Sequence, residues 1–130
     1  MKRLFVLFTI LLCGCVSTQS VHDRFAPLWI GKNFDEFVLE HGIPRSKHEL
    51  TTGTIIYEWS STDTVSIPAT TTGHMNSFGQ MNMVTSGGGT KTLACVLEIH
   101  VNKEDNIITN IRITKDTSGH WVTSRCHEVL

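Results

Sequence analysis

Residues 93–101 read Leu-Ala-Cys-Val-Leu-Glu-Ile-His-Val, and this stretch decides the fold. Every second side chain from Leu93 onward is apolar, which is the pattern of a β-strand with one buried face. After the polar residues 103–106, a second such run covers 106–115. Its alternation predicts Ile107, Thr109, Ile111 and Ile113 on one face. Two neighbouring strands, each apolar on one face, predict a β-hairpin.

Upstream of this hairpin, the sequence predicts a short helix over residues 33–41. Asn33 can cap its first turn, and Gly42 and Pro44 are typical of the residues that end a helix. Phe34, Phe37, Val38 and His41 then form its buried face. Residues 54–60 follow as a strand that places Ile55, Tyr57 and Trp59 on one face.

These elements predict an α+β fold, with one or two short N-terminal helices packed on a three-stranded antiparallel β-meander. The segment 61–90 is rich in Thr, Ser, Gly and Met, and we expect a long loop between strands one and two. An irregular pairing of 62–68 with 80–86, around a mobile tip at 69–79, is the alternative.

The first fifteen residues have the pattern of a lipoprotein signal. Lys2 and Arg3 precede an apolar run, which ends in Leu12-Cys13-Gly14-Cys15, a sequence similar to a bacterial lipobox. Cleavage after the small Gly14 would leave Cys15 to carry the lipid. We therefore expect a signal peptide at 1–14, a lipidated tether at 15–24 and a single α+β domain at 25–130. A plain secretory signal is the alternative.

This assignment also accounts for the other cysteines. Cys13 leaves with the signal peptide and Cys15 takes the lipid, so Cys95 and Cys126 remain as the pair that can form a disulfide in an oxidising compartment. A redox or metal pair is the competing interpretation, but the spacing is not C-x-x-C and no ligand frame surrounds it. We expect no metal site and no cofactor.

Charge excludes one class of partner. Without Lys2 and Arg3, nine of the eleven basic residues remain against twelve acidic ones. A nucleic-acid-binding domain would need a basic surface, so no nucleic-acid partner is expected.

The order Trp29-Ile30-Gly31, short helix, Gly42-Ile43-Pro44, and Tyr57-Glu58-Trp59 resembles the BamE/SmpA-type small outer-membrane lipoproteins. The match covers about residues 29–60. The resemblance implies a helical hairpin on a three-stranded antiparallel sheet. The cysteine pair is similar to that of a looser group of uncharacterised lipoproteins. Val16 after the lipidated cysteine, rather than Asp, resembles the enterobacterial sorting signal for the outer membrane.

We therefore expect a lipid-anchored outer-membrane protein on the periplasmic face, which serves as an interaction or structural module in outer-membrane assembly or integrity. Its partners would be the membrane, through the N-terminal lipid, and envelope proteins. The candidate contact residues are the apolar residues of the long loop, Met75, Phe78, Met81 and Met83. A periplasmic or surface inhibitor of a hydrolase is the alternative.

An enzyme is not expected, because no catalytic frame such as G-x-S-x-G or H-E-x-x-H is present. The arrangement that would revive catalysis is a cleft lined by Glu98, His100 and Arg112 on the outer face of the hairpin.

Overall fold

The computed structural model describes residues 16–130. The signal peptide predicted at 1–14 and the lipidation predicted at Cys15 lie outside these residues. The elements in chain order are α1 (Thr18–Trp29), α2 (Phe34–His41), β1 (Ser46–Glu49), β2 (Thr54–Ser66), β3 (Ala69–Met75), β4 (Met81–Gly87), β5 (Thr90–Asn102), β6 (Ile108–Asp116) and α3 (Arg125–Val129). A four-stranded antiparallel sheet has the order β1-β2-β5-β6, and β3 pairs with β4 in a second sheet.

The predicted three-stranded β-meander is wrong. Residues 16–130 form six strands in two antiparallel sheets, with 48% of residues in strands against 22% in helices. The extra strand β1 reads Ser-Lys-His-Glu and is exposed throughout, so it has no apolar face that alternation could show. The four-stranded sheet also departs from the three-stranded one that the family resemblance implied.

The expected loop at 61–90 is likewise replaced by paired strands. β2 pairs with β5 from Thr54–Asn102 to Ser66–Thr90, and pairing resumes between β3 and β4 at Ala69–Gly87 in an unchanged register. The result is one long two-stranded ribbon. We call residues 67–89, which lie beyond the end of the four-stranded sheet's β2–β5 pairing, the β-arm.

A short irregularity marks the base of the β-arm. Pro68 has no N–H for the ladder, and the three glycines opposite it, Gly87, Gly88 and Gly89, have φ of 82°, 87° and 100°. A Cβ on Gly87 would lie 2.9 Å from the carbonyl oxygen of Pro68, so a side chain is excluded there. The ribbon remains joined at this point because Ile67 N–H donates to the Gly89 carbonyl at 2.9 Å.

The core lies between one face of the four-stranded sheet and helices α1 and α2. Phe37 is fully buried and meets Trp29 and Trp59 edge to face, with ring centroids 5.2 and 6.3 Å apart. Trp59 Nε1 donates to the carbonyl of His41 at 2.8 Å, which fixes the end of α2 on the sheet. Asn33 caps α2, since its side chain accepts the N–H of Asp35 at 2.8 Å.

Two β-bulges in β6 correct the predicted alternation of that strand. The register with β5 shifts between Val96 and Leu97 and between His100 and Val101, which leaves Thr114 and Thr109 as the extra residues. The hydroxyl of Thr109 donates to the carbonyl of His100 at 3.2 Å, and that of Thr114 donates to the carbonyl of Val96 at 3.3 Å. Ile108 and Ile111 are therefore both buried, and the expected single face of 107, 109, 111 and 113 is wrong.

Helix α1 begins at Thr18, inside the segment 15–24 that was expected to be a tether. Ser17 caps it, and Val21, Phe25, Ala26 and Trp29 are buried against the core. The folded part of the chain thus starts before residue 25. Among residues 16–130, no helix is both long enough and apolar enough to cross a membrane.

Candidate interaction surface

The β-arm is the most unusual surface of this fold. Every side chain of β3 and β4 is exposed. No Asp, Glu, Lys or Arg occurs between residues 67 and 89, so the β-arm carries no charge when its single histidine, His74, is neutral. Protein surfaces are normally rich in charge. An uncharged, fully exposed ribbon is therefore a candidate contact surface.

Three methionines share one face of the β-arm. Met75 lies opposite Met81, and Met83 lies opposite Gly73. The absent side chain of Gly73 gives the methionines room, because the Sδ atoms of Met83 and Met81 lie 3.0 and 3.6 Å from the position of a Cβ there. All three nevertheless remain between 61% and 68% exposed. We call Met75, Met81 and Met83 the methionine face.

The tip of the β-arm presents Phe78. The Oδ1 atom of Asn76 accepts the N–H groups of Phe78 at 3.0 Å and Gln80 at 2.9 Å, and Gly79 N–H donates to the Asn76 carbonyl at 3.0 Å. These bonds define the turn, and Phe78 projects from it with 88% of its surface exposed. The segment 69–79, which the alternative prediction gave as a mobile tip, forms β3 (Ala69–Met75) and most of this hydrogen-bonded turn.

The structure thus brings together all four candidate contact residues predicted from sequence, Met75, Phe78, Met81 and Met83, at the outer half of the β-arm. Sequence reasoning missed two further exposed apolar residues of the arm, Ile67 and Val84, and Trp121 in the turn before α3. Composition alone could have pointed to Val84. Nothing in the sequence distinguishes Trp121 from the two buried tryptophans.

A disulfide joins the four-stranded sheet to α3. Cys95 in β5 and Cys126 in α3 are bonded, with their Cα atoms 4.8 Å apart, and both are fully buried. Nearby, Asp116 accepts hydrogen bonds from the hydroxyls of Thr18 at 2.8 Å and Ser124 at 2.7 Å and from Cys126 N–H at 3.0 Å. Asp116 therefore joins the start of α1, the end of β6 and the start of α3.

The residues between β6 and α3 form a turn organised by Glu128. Its carboxylate accepts the N–H of Trp121 at 2.8 Å and pairs with Arg125 at 3.1 Å. Backbone N–H groups of Trp121, and then of His120, are the main reason that the pKa of Glu128 is lowered to about 2. The same turn contacts β2 near its end, where His120 Nε2 lies 2.9 Å from Asp63 Oδ2.

The side chains of Glu98, His100 and Arg112 also lie together. These are the residues that the sequence analysis named as the candidates for a catalytic cleft. Glu98 Oε1 is 2.7 Å from His100 Nε2, and Oε2 is 3.0 Å from the Arg112 guanidinium. The hydrogen bond from His100, and then that from Arg112, lowers the pKa of Glu98. Both carboxylate oxygens are engaged, so the cluster is an ion-pair network that ties β5 to β6. Within residues 16–130, no group of three or more His, Cys, Asp or Glu side chains could hold a metal ion.

Comparison with protein-family models, with curated proteins and with solved structures finds no match to this chain. The similarity to BamE/SmpA-type lipoproteins stays a prediction from residues 29–60.

Proposed function

We propose that this protein is a lipid-anchored interaction module of the bacterial outer membrane, and that the β-arm is its contact element for a protein partner in the envelope. The observation that carries the proposal is the β-arm, a ribbon without charged residues that exposes the methionine face and Phe78 away from the core. The lipid anchor is proposed from the lipobox-like sequence that ends at Cys15.

The side chains on the β-arm suit contact with a protein. Methionine is unbranched and polarisable, so it repacks against irregular apolar surfaces, and an aromatic residue supplies a large buried area on contact. Burial of an exposed apolar side chain contributes about 1.5 to 3 kcal/mol. Several such residues on one ribbon can therefore contribute to the binding free energy without any charged pair, against the entropic cost of association.

The β-arm can also be removed without disturbing the sheet, which makes the proposal testable. Hydrogen-bonded and non-hydrogen-bonded pairs alternate along an antiparallel ladder, and Ile67 N–H donates to the Gly89 carbonyl in this register, so Val65 and Lys91 form a hydrogen-bonded pair. An Asn-Gly turn in place of residues 66–90 therefore closes β2 onto β5 as a two-residue hairpin. We expect this variant to unfold at a temperature close to that of the parent.

The primary experiment is site-specific photo-cross-linking in living cells. A photoreactive amino acid at Phe78 or Met83 should give a discrete cross-linked protein, whereas the same probe at Asn82, on the opposite face of β4, is the matched control. The arm-deleted variant should show the phenotype of a null allele. No discrete product from positions 78 and 83, together with full function of the arm-deleted variant, would contradict the proposal.

The identity of the cross-linked protein separates the two functions considered from sequence. An outer-membrane or periplasmic structural protein supports the interaction module. A hydrolase whose activity is inhibited by the purified protein, but not by the arm-deleted variant, supports the inhibitor alternative instead.

A further inference from the structure

Trp121 is 92% exposed, whereas Trp29 and Trp59 are 5% and 6% exposed. A single exposed apolar side chain is common on protein surfaces and indicates nothing alone. Two features distinguish Trp121. The first is the hydrogen-bonded turn that contains it, and the second is that this turn contacts Val16, the first residue that the structure describes.

The turn around Trp121 is held by specific hydrogen bonds. Glu128 accepts the Trp121 N–H at 2.8 Å, and Gly119 N–H donates to the Val122 carbonyl at 2.9 Å. Glu128 is in turn held by Arg125 at 3.1 Å. The backbone of Trp121 is therefore fixed while its indole faces solvent.

The same turn lies beside the start of the described chain. Thr123 donates its hydroxyl to the carbonyl of Val16 at 2.6 Å, and Thr18 donates to Asp116 at 2.8 Å. Val16 directly follows Cys15, the proposed lipid attachment site. Because one residue spans at most about 3.6 Å, acyl chains on Cys15 would enter the bilayer next to this turn.

We propose that Trp121 is a second membrane contact, with its indole in the bilayer interface beside the acyl anchor. This inference rests on the proposed lipid anchor. Tryptophan is the side chain that favours this depth, since its ring is largely apolar while its N–H still reaches water or headgroups. The ammonium group of Lys91, which lies against Ser118 beside the turn, favours an anionic membrane surface.

The contact fixes the orientation of the protein. An acyl chain alone leaves the body free to rotate, whereas two contacts close together hold one end of the sheet at the membrane. The β-arm leaves the body at this end, where Lys91 and Asp63 contact the turn, and the turn at 103–106 lies at the opposite end of β5. The partner of the β-arm would then be a protein held at the same membrane.

The test uses the intrinsic fluorescence of the full chain, processed in a bacterium that acylates lipoproteins. Labelled fatty acid reports on Cys15, with Cys15→Ser as the control. The acylated protein is reconstituted into phosphatidylethanolamine–phosphatidylglycerol vesicles with or without brominated acyl chains, which quench tryptophan nearby. We expect a blue shift of the emission in both kinds of vesicle and a loss of emission only in the brominated ones, and Trp121→Phe should remove both effects because Trp29 and Trp59 are buried.

A relocated tryptophan gives the matched control. In the variant Trp121→Phe with Glu104→Trp, the exposed indole lies on the 103–106 turn, and brominated lipid should not quench it. Acylated protein whose Trp121 emission is insensitive to brominated lipid overturns this inference and leaves the anchor intact. Absence of label on Cys15 overturns the anchor and the inference together. A blue-shifted Trp121 emission in native membranes, but not in pure lipid vesicles, would show that the indole is covered by a protein partner. That result overturns the bilayer contact.

Discussion

The carboxylate of Glu128 occupies the space that a side chain on Gly119 would need. This relationship explains why residue 119 is a glycine although its backbone does not adopt a positive φ. It also links the turn that presents Trp121 to α3, because Glu128 belongs to the helix and accepts hydrogen bonds from the turn.

Substitution Gly119→Ala should therefore displace Glu128. The new Cβ collides with the carboxyl group at the end of the Glu128 side chain, so this group must move and give up the hydrogen bond from Trp121 N–H, a loss of about 0.5 to 1.5 kcal/mol. Urea unfolding measures the change in the free energy of unfolding. Gly79→Ala is a poor control because that residue has a φ of 75°; Ser77→Ala, at the exposed tip, is the better one. Equal stability of Gly119→Ala and the parent would contradict the placement of Glu128.

The lowered pKa of Glu128 predicts a pH dependence of stability. The pKa is about 2 in the folded protein against 4.5 as the ordinary value. Ionised Glu128 thus stabilises the fold above about pH 4.5, and this contribution is lost as the pH falls toward 2. Glu128→Gln should be less stable than the parent at pH 7, and the difference should shrink by pH 3. A difference that stays constant across this range in urea unfolding would show that the carboxylate charge is not involved.

Removal of the disulfide should destabilise the domain strongly. Cys95 and Cys126 are separated by 31 residues, and release of such a loop corresponds to about 3 to 4 kcal/mol in the chain-entropy model. The double variant Cys95→Ala with Cys126→Ala should lower the urea midpoint by the corresponding amount, and reduction of the parent protein should approach the same value. A reductant that shifts the midpoint of the double variant as well would reveal an effect unrelated to this bond.

Asp116→Ala should loosen the junction of α1, β6 and α3. The substitution removes the acceptor for the Ser124 hydroxyl, whose residue is 1% exposed, and for Cys126 N–H. A buried polar group left without a partner costs about 1 to 3 kcal/mol. Faster amide exchange at Cys126 and a lower unfolding midpoint are expected, while Glu104→Ala, in the exposed turn between β5 and β6, serves as the control. Unchanged exchange at Cys126 would exclude Asp116 as its acceptor.

The sequence was informative wherever one face of an element is buried. Residues 93–101 alternate because their odd-numbered side chains enter the core, and α2 is marked by Asn33, Phe34 and Phe37 for the same reason. β3 and β4 carry no such signal, since both of their faces meet solvent. Only their threonine content favours a strand, and that preference is weak without a core to face.

The errors in β6 and α1 have different causes. A bulge adds one residue to the strand and so shifts the alternation of buried and exposed side chains by one position. Ile108, and not Ile107, therefore lies in the core. Helix α1 starts among small polar residues because Ser17 and Ser20 form a reciprocal cap. Of the candidate site, the four apolar residues could be selected from sequence, but their common position on a projecting ribbon could not.

The unchanged register between the main ribbon and the β-arm makes the reach of this protein adjustable. Ser66–Thr90 and Ala69–Gly87 keep the same register across the irregular base of the arm, so insertion of two residues into each strand of the arm would move the tip outward by about 7 Å and keep the methionines on their present side. One residue in each strand would turn them to the opposite side. The number of residue pairs in the arm thus sets both the distance of its tip from the body and the side on which the methionines lie. Neither depends on the rest of the fold.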